Sequence, residues 1–311
     1  MAISKGIQSR DTQEFKRYLG VAPMLIKAVN PTKKEHEDLY QTVLEKDPEY
    51  VQEKQDLEGK SYKTARISVI FQPDREQIGF DMPYITMSLF LDSRIRYNKD
   101  KTKVQVIDKY GKTAWATIEE AKEHKIPLSK SGAPLNICSD YRPALTGEED
   151  LMNFIRTYLC IPEPMVWHLE SRSFIPNPRV NPEDCECSFD NIQNIFKGDF
   201  SEIKAALALQ PENKIKVMLG VRTDTNSGAL YQAVYTRKFL RANSNNYAAL
   251  DKEIQNMINQ ATISGRAVDT EYFAGPVKEY EVTPTVITPT AQEVPATSGP
   301  APADDPFGLP W

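Results

Sequence analysis

The chain has 311 residues, 26% of them charged and 40% hydrophobic, with a net charge of −5 at pH 7. That length provides a sizeable core in one large or two small domains. No run of 18 apolar residues exists to cross a bilayer, and four cysteines in so long a chain do not make a disulfide scaffold.

The charge is unevenly placed. From Glu281 to Trp311 there are four of the 43 acids and none of the 38 bases, so residues 1–280 carry 39 acids against 38 bases. A nucleic-acid surface on this body therefore needs local clustering, because overall charge does not supply one.

In chain order, residues 1–13 read as a flexible arm. Met1 to Gly20 is polar and lacks a signal-peptide core, which predicts a cytoplasmic, reducing compartment. Glu14 to Gly20 is a short element ended by glycine, and Val21–Val29 is a strand interrupted by Pro23, which suits an edge or a first-residue position. Thr32-Lys33-Lys34-Glu35 is a capping box opening a helix to about Val43. Tyr62–Phe71, Tyr84–Tyr97, Thr102–Ile107 and Thr113–Thr117 are rich in β-branched and aromatic residues and separated by polar turns, so they predict a β-meander.

Two more capping boxes follow, at Thr117-Ile118-Glu119-Glu120 and Thr146-Gly147-Glu148-Glu149. The second predicts a helix to about Leu159, with Leu151, Phe154, Ile155 and Tyr158 on one face. Residues 161–188 are Pro-rich and read as irregular. Helical patterns resume over Phe189–Phe196 and Phe200–Leu209. Lys214–Thr223 and Leu230–Leu240 then form a hairpin around Asp224–Gly228. A helix over Tyr247–Asn259 and a strand over Val277–Val282 complete residues 14–280. Strands, inserted helices and strands again predict a mainly β, α+β fold: a partly closed β-barrel with helical insertions.

Residues 281–311 hold abundant Pro, Thr and Ala and too little apolar surface to offset the entropy of ordering, so they predict a disordered tail. Its end, Asp304-Asp305-Pro306-Phe307-Gly308-Leu309-Pro310-Trp311, sets Phe307, Leu309 and Trp311 beside two acids. Such a tip suits a basic-rimmed hydrophobic pocket on another protein. The plainer alternative is a solvating tail with chance hydrophobics.

Bases and rings concentrate in the meander. Lys60, Tyr62, Lys63 and Arg66 precede or enter one strand. Arg94, Arg96 and Asn98 share a face of the next by period two, with Tyr97 opposite. Lys99, Lys101 and Lys103 crowd the turn, and Tyr110, Lys112 and Trp115 follow. On the later hairpin, Lys214, Lys216 and Arg222 share one face, and Tyr231, Tyr235, Arg237 and Phe239 another. Single-strand binding uses this mixture: cations track phosphates, and rings stack bases. Packing and solubility explain the same residue types one by one, since strand aromatics build cores and edge lysines block aggregation.

Catalytic signatures are absent. There is no phosphate-cradling Gly-rich run ending in Lys-Ser/Thr, no His-Glu-x-x-His and no Gly-x-Ser-x-Gly. No cofactor or small-molecule substrate is implied. Cys160, His168, Cys185 and Cys187 are zinc-type ligands, but Cys185-Glu186-Cys187 has one spacer where structural zinc sites use two to four, so no metal is assigned.

The segments Phe15–Ala22 (FKRYLGVA), Ala28–Lys33 (AVNPTK), Arg96–Asp108 (RYNKDKTKVQVID), Phe196–Phe200 (FKGDF) and Gly220–Thr223 (GVRT) resemble those of single-stranded-DNA-binding proteins of tailed bacteriophages, the crAss-like phages in particular. The likeness spans most of residues 14–280, and the tail is a second point of similarity. It implies an OB-fold body that coats single strands with little sequence preference during replication, recombination and repair in the infected cell. It also implies a tail whose tip, Asp304, Asp305, Pro306, Phe307, Leu309 and Trp311, recruits partner enzymes. Tails of this kind usually end at or beside an acidic-Pro-Phe tip, whereas here Gly308 to Trp311 follow. On this reading Lys60, Lys63, Arg66, Arg94, Arg96, Lys99, Lys101, Lys103, Lys112, Arg222 and Arg237 join Tyr97, Tyr110, Trp115, Tyr231 and Tyr235 in the DNA site, with phosphate contact assigned to Arg94, Arg96, Lys99, Lys101 and Lys103 and base stacking to the five aromatic residues. A structural virion protein, or a nuclease or recombination enzyme, is the alternative.

Overall fold

The computed structural model describes residues 15–18, 20–78, 84–189, 191–208, 212–223, 230–244, 284–287 and scattered positions between 247 and 259. It is mainly β. The strands are β1 (Phe15–Tyr18), β2 (Gly20–Val29), β3 (Val51–Gln55), β4 (Ser61–Pro73), β5 (Ile85–Ile95), β6 (Lys103–Asp108), β7 (Thr113–Thr117), β8 (Tyr141–Pro143), β9 (Leu145–Thr146), β10 (Met165–His168), β11 (Ser173–Pro176), β12 (Lys214–Thr223), β13 (Leu230–Arg241) and β14 (Pro284–Ile287). The α-helices are α1 (Lys33–Tyr40), α2 (Arg75–Ile78), α3 (Ile118–Lys122), α4 (Glu148–Tyr158) and α5 (Ser201–Ala208).

A seven-stranded antiparallel sheet runs β13-β12-β2-β4-β5-β9, with β3 also paired to β4. β4 is long enough to take two partners on one edge: β2 along Val69–Pro73 and β3 along Ser61–Ala65. Asn30 makes the handover. Buried and left-handed (φ 43°), it accepts from Ser68 N at 2.6 Å and donates to Arg66 O at 3.1 Å, continuing the ladder for one step as β2 leaves. The sheet is not closed: among the described residues no ladder joins β13 to β5, although Cα atoms of the two come within 8 Å.

A register shift lies between Asp92 and Ile95 of β5. A bulge of this kind bends a strand and lets it change sheets. Beyond it the chain leaves the large sheet and joins a three-stranded sheet, β7-β6-β8. Gln105 N donates to Arg96 O, and Tyr97 bridges to Val104. The predicted meander is thus divided between two sheets.

One face of the large sheet builds the core. Ala65, Ile67, Val69 and Phe71 of β4 and Met87, Leu89 and Leu91 of β5 meet Leu151, Phe154, Ile155 and Tyr158 of α4. Phe154 is the hub, edge-on to Phe71 at 6.1 Å and Phe239 at 5.2 Å. Phe239 is therefore a core residue, not part of a stacking platform. The β12–β13 register also shifts, between Val217 and Leu219, so period two does not carry along β13.

The capping boxes at Thr32 and Thr117 form as the sequence predicts. The third does not. Thr146 is held in β9, its hydroxyl donating to Arg94 O at 3.4 Å, and Gly147 is the N-cap of α4 with no side-chain cap. Residues 161–188, read as irregular, contain the β10–β11 hairpin and a 3-10 turn at Pro182–Cys185. Phe189–Phe196 is a 3-10 helix over Ile192–Lys197. β14 falls inside the segment read as disordered and pairs with β1, because its backbone finds a partner strand despite the composition. Residues 1–13, the Val277–Val282 strand and the tip Asp304–Trp311 lie outside the described residues.

Candidate nucleic-acid interface

The face of β4–β5 opposite the core carries Tyr62, Thr64 and Arg66 from β4 and Phe90, Asp92 and Arg94 from β5, with Thr64 opposite Asp92 and Arg66 opposite Phe90. Strand alternation forces this: residues two apart from the buried set point away from it. Asp92 is 6% exposed. Its carboxylate accepts from Arg94 Nε at 3.0 Å, from the Arg94 Nη2 at 2.5 Å and from the Arg94 backbone N–H at 2.9 Å. The side-chain hydrogen bonds raise the guanidinium's pKa. Its carbon lies 3.6 Å from the Tyr62 ring centroid.

Two more guanidiniums sit over rings. Arg66 lies 5.5 Å from the Tyr50 ring and donates to Glu49 O at 3.2 Å. Burial pushes the Tyr50 phenol up to about 12, so it stays protonated, donating to Pro31 O at 2.7 Å. Arg96 lies 5.5 Å from the Trp115 ring and donates to Gln105 Oε1 and Glu149 Oε2, both at 3.2 Å. Trp115 is directly opposite Gln105 in the β6–β7 ladder. Arg94 and Arg96 thus take separate partners on either side of the bulge. Asn98, read as sharing their face, instead closes the turn, accepting from Lys103 N at 2.7 Å and donating to Thr102 Oγ1 at 3.0 Å.

The remaining candidates are dispersed. Lys60, Lys99 and Lys101 are exposed and have no ion-pair partner among the described residues. Tyr97 is 47% exposed in the same turn region. Lys103 is half-buried. Lys63 points from β4 to the opposite side, where Nζ donates to Phe196 O at 3.3 Å. Tyr110 and Lys112 occupy the turn at the far end of β6: Tyr110 O accepts from Arg156, and Lys112 pairs with Glu163. The side chains of Arg222, Tyr231, Tyr235 and Arg237 lie outside the described set; the backbone register sets Arg222 opposite Tyr231. Sequence reasoning missed Tyr50, Asp92, Gln105 and Glu149. For Asp92 a signal existed, since Asp-x-Arg on a strand puts both side chains on one face.

Among the described residues no three His, Cys, Asp or Glu side chains gather in a metal-holding group. Cys185 and Cys187 are buried, and desolvation raises both thiols, Cys187 to about 11. Cys160 is exposed. Iodoacetamide at pH 8 is expected to modify Cys160 and leave Cys185 and Cys187 untouched until the chain unfolds, as peptide mass mapping would register. Below the ordinary value of 9.0 the thiol is protonated folded or unfolded, and between there and about 11 only the unfolded chain releases the proton. Stability should fall across that window.

No helix among the described residues is long and apolar enough to cross a membrane. Comparison with known proteins found no matching family model, no matching curated protein and no matching solved structure.

Proposed function

We propose that this chain binds and coats single-stranded DNA without catalysing a reaction. The observation that carries this reading is the set of three guanidinium–ring pairs, Arg66 on Tyr50, Arg94 on Tyr62 and Arg96 on Trp115, beside a turn bearing Lys99 and Lys101. Cation and ring at one surface are what an unpaired strand needs, because a duplex hides its base faces.

The topology supports an OB-like body. β2, β4 and β5 form a three-stranded run, α4 follows, and the β12–β13 hairpin returns so that β12 pairs β2 while β13 approaches β5. That is the order of a partly open five-stranded barrel, in which the second and third strands, here β4 and β5, present the oligonucleotide-binding face. The place in phage replication, recombination and repair, the host cytoplasm, and partner recruitment by the tip at Asp304–Trp311 rest on the sequence resemblance.

The test is fluorescence anisotropy of labelled oligo-dT titrated with the full chain at low and moderate salt, with a duplex of equal length as control. Salt-dependent binding to the single strand and not to the duplex is expected. No binding at low salt overturns the reading.

A further inference from the structure

Three contacts fix what Arg94 can offer a ligand. The buried carboxylate of Asp92 takes its Nε and Nη2 hydrogens at 3.0 and 2.5 Å, which is the edge a guanidinium uses to grip an anion in bidentate fashion. Tyr62 covers one face, with 3.6 Å from the guanidinium carbon to the ring centroid. A separation that short leaves room only for nearly parallel planes. Yet the side chain is 43% exposed. With one edge and one face occupied, the exposed part is the opposite planar face and Nη1.

We propose that Arg94 is a nucleobase-stacking surface, backed by Tyr62 and clamped by Asp92, and not a phosphate ligand. This rests on the single-strand-binding reading and assigns the ligand at one position: an unpaired base, laid on the guanidinium plane as the outer layer of a base–Arg94–Tyr62 stack. A guanidinium plane stacks on π-faces, and an ammonium does not. Asp92 is a positioning residue here, because it holds the plane parallel to the ring. Arg96 differs: it gives only Nη1 to Gln105 and Glu149, which leaves Nε and Nη2 for a phosphate.

The two roles separate by salt dependence. A phosphate contact adds about 0.7 to the slope of log affinity against log salt on a single strand. A stacked base adds affinity and no slope. The experiment titrates full-length wild type, Arg94→Lys, Arg94→Ala and Arg96→Ala against labelled oligo-dT over a salt series. A strand of equal length with abasic sites throughout is run in parallel. Arg94→Lys and Arg94→Ala are both expected to weaken oligo-dT binding by roughly 5- to 150-fold with an unchanged slope, and to leave abasic-strand affinity unchanged. Arg96→Ala is expected to lower the slope on both strands. Full affinity in Arg94→Lys, or a slope reduced by about 0.7 in Arg94→Ala, makes Arg94 a phosphate ligand and overturns the proposal. Arg94→Lys keeps the charge and the aliphatic stem, so it tests the plane even where Arg94→Ala destabilises β5. Wild type that binds neither strand overturns the single-strand reading itself, which distinguishes that failure from this one.

Discussion

Gly147→Ala is expected to lower the thermal midpoint by about 10 °C, because among the glycines whose surroundings are described it has the closest backbone contact to an added methyl group. Gly147 is the N-cap of α4 at φ 86°, where β9 crosses onto the helix over the bulge of β5. A Cβ there would sit 1.9 Å from the Phe90 carbonyl oxygen and 3.0 Å from its carbon. Both atoms are backbone, held in the β4–β5 ladder opposite Arg66, so neither gives way without moving the sheet. The left-handed conformation alone costs about 1–2 kcal/mol for alanine, and forcing backbone apart adds about 1–3 kcal/mol. Gly59→Ala separates the two contributions. Gly59 has φ 79° and nothing within 4 Å of the added carbon, so it should lose only the conformational part. Equal shifts in the two variants, read by calorimetry, would show that the contact with Phe90 does not matter. The packing also bears on the proposed interface, because Phe90 and Arg94 lie on the same outer face of β5.

The contrast between Gly147 and the two formed capping boxes shows what was legible in the sequence. At Thr32 and Thr117 the capping partners are three residues apart and both side chains are left to meet each other, even though Thr117 also ends β7 opposite Lys103, so the local pattern decides the structure. At Thr146 the same pattern fails because remote groups take both capping side chains: the Thr146 hydroxyl donates to Arg94 O, and the Glu149 carboxylate accepts from Arg96 and Gln105. β3, β8 and β9 were unreadable for a related reason. They are short, carry little alternation and exist only because β4, β5 and β6 offer open edges. The candidate site was legible in type but not in assembly. Arg66, Arg94, Arg96 and Trp115 stand out as base and ring, whereas their pairing with Tyr50, Tyr62, Asp92 and Glu149 depends on register across strands and on the first turn of α4. Tyr110 and Lys112 look equivalent to them in sequence, yet the length of β6 carries both to the far end, where Arg156 and Glu163 engage them.

Replacing Arg96, Lys99, Lys101 and Lys103 together by alanine is expected to weaken single-strand binding at 0.1 M salt on the order of several hundred-fold and to reduce the salt slope by about 3. These four cations follow the bulge in β5 and run through the turn into β6, and Arg96 among them lies over Trp115. Each phosphate they neutralise releases about 0.7 of a counterion from a single strand, and four such contacts scale affinity accordingly between 0.1 M and 1 M. The fold should survive. Lys99 and Lys101 are exposed, Lys103 is half-buried, and the Arg96–Glu149 pair is more than a third exposed on both sides, the class of ion pair that contributes about 0–1 kcal/mol. A thermal midpoint within a few degrees of wild type is therefore the required control. An unchanged slope would move the strand off this turn and toward the β12–β13 hairpin, where Arg222 faces Tyr231 in the ladder. A reduced slope in the four-residue variant, together with intact oligo-dT affinity and slope in Arg94→Ala, would leave the turn as the phosphate track and remove the stacking role from β5. The two sets of variants thus test whether the proposed interface divides into a part that reads charge and a part that reads base faces.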